Sequence, residues 1–237
     1  MKSAGAVAVR VRSWRSLVGW VLGGFALVLG CAIGCGFLLR LLQRSDGSTP
    51  LDSRITTRLV AGRTETLTSV ANGFSRVGST SVLLPLVLVI AAVLVWRRRF
   101  VLGGVLVLAW GGSVGLYNLT KPVVDRPRPP VSVRLANAAG SSFPSGHATQ
   151  SLATFAVLAV VVAALWRPAR AAGWVAAGLV VAGVGWSRVY LGMHWATDVA
   201  AGWLIGAAWV ALMLLLAGPA PALVAGSGGA AGATVSR

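Results

Sequence analysis

The side chains able to do chemistry are few in this chain and fall close together. It has 237 residues, with two histidines, two lysines and five carboxylates. His147 directly follows Pro144-Ser145-Gly146, and His194 stands four residues before Asp198. Lys121 and Arg128 flank Asp125 upstream of His147, and Arg188 precedes His194. A histidine and a carboxylate at i and i+4 share a helix face, provided the helix includes both. A carboxylate accepting Nδ1–H fixes the tautomer and leaves Nε2 with a free lone pair, as a nucleophilic imidazole requires. It also stabilises positive charge growing on the ring. His147 is then placed to supply the proton that a departing alkoxide needs.

The cations complete a pocket. Lys121, Arg128 and Arg188 would form a cluster in which the planar guanidinium forks match a phosphoryl group. Ser145 and Gly146 open an apolar segment, where free N–H groups and the helix dipole favour an anion and glycine lets it come close. Each element also has a plain reading: an interfacial histidine, a helix-stabilising His–Asp pair, cations snorkelling to headgroups, a Pro-Ser-Gly cap. The joint placement of both histidines with three cations and a helix start is what favours a phosphate site.

The elements that position these residues are membrane helices. The chain is 56% hydrophobic and 11% charged, with a mean hydropathy of +0.79. A soluble domain would carry about a quarter of its residues as charges. The net charge of +16 would suit a nucleic-acid binder, but such a protein displays charge on a polar surface, not between long apolar runs; no nucleic-acid partner is expected. Six segments approach the roughly 20 apolar residues needed to cross a bilayer: Leu17 to Leu39, Thr80 to Trp96, Phe100 to Leu119, His147 to Trp166, Ala171 to Arg188, and Ala196 to Leu216. The second is short and contains Pro85. Trp14, Trp20, Trp96, Trp166, Trp174 and Trp195 fall near span ends, where indoles favour the interface. The expected fold is therefore all-α: a polytopic membrane protein with six transmembrane helices in one domain over residues 1–217, followed by an Ala-, Gly-, Ser- and Pro-rich tail, 218–237, expected to be disordered.

With six spans, all the residues proposed for the site reach one face. The opposite face carries the tight Arg97-Arg98-Arg99 cluster and the basic N-terminal flank with no acid among them. That pattern places the termini in the cytoplasm and the site on the outer side of the plasma membrane. The N-terminal apolar run is too long for a signal peptide, and the run continuing past Cys31 argues against lipoprotein cleavage. Cys31 and Cys35 lie on one helical face and read as small apolar packing residues, as do the GxxxG pairs Gly30–Gly34 and Gly202–Gly206. Between the first two spans, Thr49-Pro50-Leu51-Asp52 reads as a helix start. Ile55, Leu59, Leu67, Val70 and Phe74 then recur at near-helical spacing, predicting an amphipathic helix at the outer surface.

The motifs themselves resemble a known family. Lys121 to Pro129 is similar to K-x6-R-P, Pro144 to His147 to P-S-G-H, and Ser187-Arg188 with His194 and Asp198 to S-R-x5-H-x3-D. These are the three signatures of the type-2 phosphatidic acid phosphatase superfamily, whose members include membrane-bound lipid phosphate phosphatases. The resemblance spans Lys121 to Asp198. It implies metal-free, cofactor-free hydrolysis of a lipid phosphomonoester or diphosphate: a phosphatidate-type lipid, phosphatidylglycerol phosphate or an isoprenoid diphosphate. It makes His194 the nucleophile that forms a phosphohistidine, Asp198 its orienting partner and His147 the general acid. Lys121, Arg128, Ser145, Gly146 and Arg188 would hold the phosphoryl oxygens. Asp125 and Arg126 fall at variable positions and receive no role. The scarcity of acids agrees with histidine chemistry, because two-metal phosphatases need several carboxylates or histidines around their ions. A lipid phosphotransferase using the same site, or a transporter or flippase that binds anionic headgroups without cleaving them, stays open at this point, as does the oligomeric state.

Overall fold

The structure, a computed structural model, describes residues 14–43 and 47–218. The extreme N-terminal basic flank and the tail 219–237 lie outside the described residues. The described chain is helical, in the order α1 (Trp14–Gln43), α2 (Pro50–Ala61), α3 (Glu65–Val77), α4 (Thr80–Trp96), α5 (Phe100–Val124), α6 (Gly146–Leu165), α7 (Arg170–Tyr190) and α8 (Ala196–Ala217), with a 3-10 turn at Val131–Val133. Five of these, α1 and α5 to α8, are long and apolar enough to cross a membrane. The 17-residue α4 reaches that length only together with α3, from which it is bent by 47°. The chain is a multi-pass membrane protein with five such spans among the described residues, or six when the bent α3–α4 pair is counted as one.

Packing centres on α6, which lies against α5, α7 and α8, while α1 packs on α8. Leu102, Leu106, Ala109, Ala153 and Val157 form its closed apolar centre. Outward-facing Leu22, Phe25, Ile33 and Phe37 of α1 and Val175 and Leu179 of α7 are exposed, as expected of side chains that meet lipid. The Gly202–Gly206 pair serves close packing. A Cβ on Gly202 would stand 2.8 Å from the Ser145 carbonyl oxygen, and one on Gly206 2.9 Å from that of Thr149. The N-terminal half of α6 and the first turns of α8 are thereby brought into near backbone contact.

The segment between the first two spans differs from the single amphipathic helix the sequence pattern predicts. Thr49 caps α2 through a reciprocal pair with Asp52, as its sequence suggested. The helix then ends at Gly62, and Thr64 caps a second helix, α3. Arg63 at the break donates to the carbonyls of Tyr190 at 2.6 Å and Val133 at 2.7 Å. The segment is therefore bolted to the end of α7 and to the loop after α5. At the same place Gly192, with φ +71°, lies where a Cβ would be 2.3 Å from the Val133 carbonyl oxygen. Glycine here both supplies the left-handed turn and admits the neighbouring backbone. That turn carries the chain from α7 to His194.

Candidate active site

Four helix ends meet on one face: the C-termini of α5 and α7 and the N-termini of α6 and α8. α5 continues past Pro122 to Val124, so Lys121 sits on its last turn and not in the following loop. Asp125 ends the helix in a left-handed conformation, φ 39° and ψ 47°, which acidic residues tolerate better than most. Its N–H returns to the Lys121 carbonyl at 3.0 Å. The reversal sends Arg126 inward and brings Arg128 back over the site.

His194 lies in the turn before α8 and is 3% exposed. Its Nδ1 is 2.7 Å from the Ser142 carbonyl oxygen, so Nδ1 carries the proton and Nε2 the lone pair. Nε2 faces Arg128 Nη1 at 3.4 Å. Here the structure corrects the expected detail. Asp198 Oδ2 stands 3.5 Å from Nδ1, a neighbour and not the acceptor. The physical reason is that His194 precedes the helix, so the pair lacks true i, i+4 geometry. Asp198 instead turns back over the helix start, accepting from Trp195 N at 2.8 Å and from Ser142 Oγ at 2.5 Å. Ser142 thus bridges the two, holding the ring with its carbonyl and the carboxylate with its hydroxyl.

Arg128 is anchored by carbonyls: Nε donates to Gly140 at 3.0 Å and Nη1 to Met193 at 2.7 Å. Arg188, 8% exposed, donates from Nη1 to Ser75 Oγ at 2.5 Å, while its buried Nε has no protein partner. Ser145 Oγ is likewise buried and unpartnered. The Ser145 N–H is not free as the sequence suggested, since it donates to the Asp198 carbonyl at 3.0 Å. What the helix start offers is the N–H groups of the first turn of α6, which has no side-chain cap. Gly146 at that start faces the Tyr117 ring, 3.1 Å from where a Cβ would lie. Lys121 lies over the same ring, its Nζ 5.8 Å from the centroid. His147 is partly exposed and lies within electrostatic reach of Arg188, His194, Lys121 and Arg128. The eight residues singled out by motif thus gather at one place. Two buried donors and an uncapped helix start stand ready for an anion.

Five residues in this site carried no signal of function in the sequence. Arg126, set aside as variable, is 4% exposed and lies between Asp52 and Asp198. Asp52 was read as a helix cap and Thr197 not at all, yet both are buried against Arg126. Ser142 bridges His194 and Asp198. Trp195, expected at the lipid interface, is buried, with Nε1 donating to the Pro127 carbonyl at 3.0 Å. Its ring stacks near the Arg126 guanidinium, 5.7 Å away. Trp96, Trp166 and Trp174 are exposed, as a membrane belt requires.

A helical membrane bundle with four helix ends that enclose a histidine, a second histidine and three cations defines a phosphoric-ester hydrolase of the membrane. Residues 100–220 match the PAP2 superfamily, and the chain belongs to that family. It is 31% identical over 158 residues to phosphatidylglycerophosphatase B of Bacillus subtilis, covering 65% of this chain and 77% of that protein. It is 30% identical over 153 residues to an undecaprenyl-diphosphatase of Sulfolobus acidocaldarius, covering 62% and 69%. Among solved structures it resembles a transmembrane PAP2-type phosphatidylglycerolphosphate phosphatase from Bacillus subtilis, with a TM-score of 0.71 and 27% identity over 80% of this chain and 93% of the other. The fold is shared with LpxE of Aquifex aeolicus, with a TM-score of 0.57 and 22% identity over 71% and 97%.

Burial pushes the His194 imidazole down to about 4 from its ordinary 6.5; Asp198 works against that shift, and Arg188 and Arg128 add to it. The Arg128 guanidinium is lowered by burial as well. Between about 4 and 6.5 the unfolded chain binds a proton at this residue that the folded protein does not, so stability falls as pH drops through that window. Nitrogen NMR of histidine-labelled protein, assigned with His147→Gln, is expected to show His194 as the neutral Nδ1–H tautomer at pH 6. A midpoint near 6.5, or the Nε2–H tautomer, would contradict the arrangement.

Proposed function

We propose that the protein hydrolyses the phosphate ester or anhydride of a membrane lipid through a covalent phosphohistidine, without a metal. The observation that carries the reading is the His194 imidazole, held by Nδ1 to Ser142 with its Nε2 lone pair 3.4 Å from Arg128. In the first step Nε2 attacks phosphorus and the bond to the leaving oxygen breaks. Protonated His147 gives its proton to that oxygen, releasing an alcohol from a monoester or a lipid monophosphate from a diphosphate. Water then attacks phosphorus, His147 takes its proton, and the P–N bond breaks to release phosphate and restore His194. Lys121, Arg128 and Arg188 neutralise the equatorial oxygens, with Ser145 Oγ and the N–H groups opening α6 as further donors.

Metal independence is supported by how the acids are used. Asp52 and Asp198 are engaged by Arg126 and by hydroxyl and amide donors, and the rest of the site is cationic. The lipid class follows from the membrane setting and from the two relatives above, one named for phosphatidylglycerophosphate and one for undecaprenyl diphosphate; both are amphiphiles bearing phosphate at the headgroup. The proposed setting is the plasma membrane; cytoplasmic termini and an outward site are supported by Arg97, Arg98 and Arg99, which occupy the α4–α5 turn at the end of the bundle opposite the histidines.

Phosphate release from purified protein, across a panel of lipid mono- and diphosphates with a water-soluble ester as control, tests the reading. His194→Ala is expected to lose at least about a thousandfold in kcat and His147→Gln about a hundredfold or more, while chelators leave the wild type unchanged. Retained turnover in His194→Ala, or activity lost to chelation and restored by magnesium, would sink the mechanism. Preference for the soluble ester would sink the lipid assignment. For orientation, an Asn137→Cys variant is expected to react with a membrane-impermeant maleimide in whole cells; labelling only after lysis would reverse the topology.

A further inference from the structure

A buried chain of three charged side chains lies behind the phosphate site. Arg126 Nη2 donates to Asp52 Oδ2 at 2.7 Å, and Nη1 donates to Asp198 Oδ1. The side chains are 3% exposed for Arg126 and 0% for both carboxylates. Thr197 stitches the group together. Its amide donates to Asp52 Oδ1 at 2.9 Å, and its hydroxyl, 2.7 Å from Arg126 Nη1, lies 2.8 Å from Asp52 Oδ2. Arg126 Nε holds the Gly47 carbonyl at 2.9 Å. The outer segment that begins α2 is therefore tied to the first turn of α8.

Charge arithmetic gives the group a consequence at the nucleophile. Asp52, Arg126 and Asp198 sum to one net negative charge. With Asp52 neutral, the Arg126–Asp198 pair would present His194 with a dipole instead of an anion. With Arg126 neutral, two buried carboxylates would share one site through Thr197. The groups facing the ring from the other elements are Arg128 from the loop after α5, Lys121 from α5, His147 from α6 and Arg188 from α7. All are basic, so they oppose the positive charge that grows on the imidazole as the N–P bond forms. The negative charge that counters them comes from behind, through Asp198 Oδ2 at 3.5 Å from Nδ1.

We propose that Asp52 and Arg126 are positioning residues of the hydrolysis: Arg126 locks Asp198 Oδ1 so that Oδ2 stays on Ser142 and Trp195 beside the ring, and Asp52 keeps the assembly anionic toward His194. This rests on His194 being the nucleophile. The role belongs to the geometry of buried ion pairs, in which removing one partner leaves the others uncompensated. It also makes the outer helix α2 part of the active site through one carboxylate, with no contact to substrate.

The test is the pH profile of lipid phosphate hydrolysis by the purified full chain and four variants: Asp52→Asn, Arg126→Gln, the double variant and Asp52→Glu. Asp52→Asn is expected to lower kcat about tenfold with KM changed less than about twofold, because a loss of one nearby charge is worth about one pH unit. The acid limb of kcat/KM should move to lower pH in Asp52→Asn and to higher pH in Arg126→Gln. In the double variant, which restores one net negative charge, it should return close to the wild-type position. Asp52→Glu, which keeps the charge, should recover most of the lost kcat. An unchanged kcat in Asp52→Asn, limbs that move the same way in both single variants, or a double variant displaced further than either would overturn the proposal. The two Asp52 variants decide the question by themselves if Arg126→Gln does not fold. His194→Ala, run alongside, separates the levels: turnover retained there refutes the nucleophile itself, whereas His194-dependent turnover with an unmoved Asp52→Asn profile refutes only the role given to Asp52 and Arg126.

Discussion

One guanidinium, that of Arg126, ties together the two buried carboxylates behind His194, and the candidate site is built against that tie. A charge withdrawn from water in a low-dielectric bundle must be matched closely, and the loss of a partner from such a pair costs about 3–5 kcal/mol. Arg126 meets that demand with a fork whose two terminal nitrogens engage different carboxylates on different helices. Asp198 is thereby fixed through Oδ1 and is left to cap the start of α8 and receive Ser142 through Oδ2. Ser142 in turn takes Nδ1 of His194 on its carbonyl. The tautomer that exposes the Nε2 lone pair is the end of this sequence of contacts.

The two faces of the imidazole then see opposite fields. Behind it lies the anionic group of Asp52, Arg126 and Asp198. In front lie Arg128, Arg188 and Lys121, with Ser145 Oγ and Arg188 Nε buried and unpaired. Unpaired buried donors are unfavourable unless a ligand satisfies them, and the phosphoryl group of the proposed substrate would supply the acceptors they lack. Burial pushes the His194 imidazole down to about 4, so the proposed nucleophile would need no deprotonation near neutral pH. A chain with a formal charge of +16 and five acids commits two of those acids to this one assembly. Its positive excess is thus left for the cationic side of His194, where a substrate anion is proposed to bind, and for membrane anchoring elsewhere.

How far the sequence reveals this depends on whether the signal is local. Helix α4, Thr80–Trp96, has the bounds that hydropathy alone predicts, because an apolar run followed by three arginines is a local pattern. The Thr49–Asp52 cap is equally local and is present as expected. The site residues carried by the three motifs converge, since each motif ends a span. What escaped was long-range. Arg126 finds its partners 74 and 72 residues away, and nothing beside it in the sequence distinguishes a buried fork from a loop arginine. The four-residue step from His194 to Asp198 suggested a shared helix face, but α8 starts at Ala196, and the true acceptor, the Ser142 backbone carbonyl, leaves no trace in residue type. The break at Gly62 to Thr64 was hidden because apolar residues recur at helical spacing on both sides of it. An arginine buried in an apolar bundle with two acids in reach is the signal that a charge-pairing argument can use once the topology is known.

The central claim is that phosphorus becomes bonded to Nε2 of His194 during turnover. Rapid quench of the enzyme with a lipid phosphate, followed by mass spectrometry and phosphorus NMR of the His194 peptide, reads this directly. The account predicts an acid-labile phosphoramidate on Nε2, formed and lost at rates compatible with kcat and absent from His194→Ala. Turnover at full rate with no phosphorus on His194 under conditions that preserve phosphoramidates, or a stable adduct on another residue that turns over competently, would contradict it.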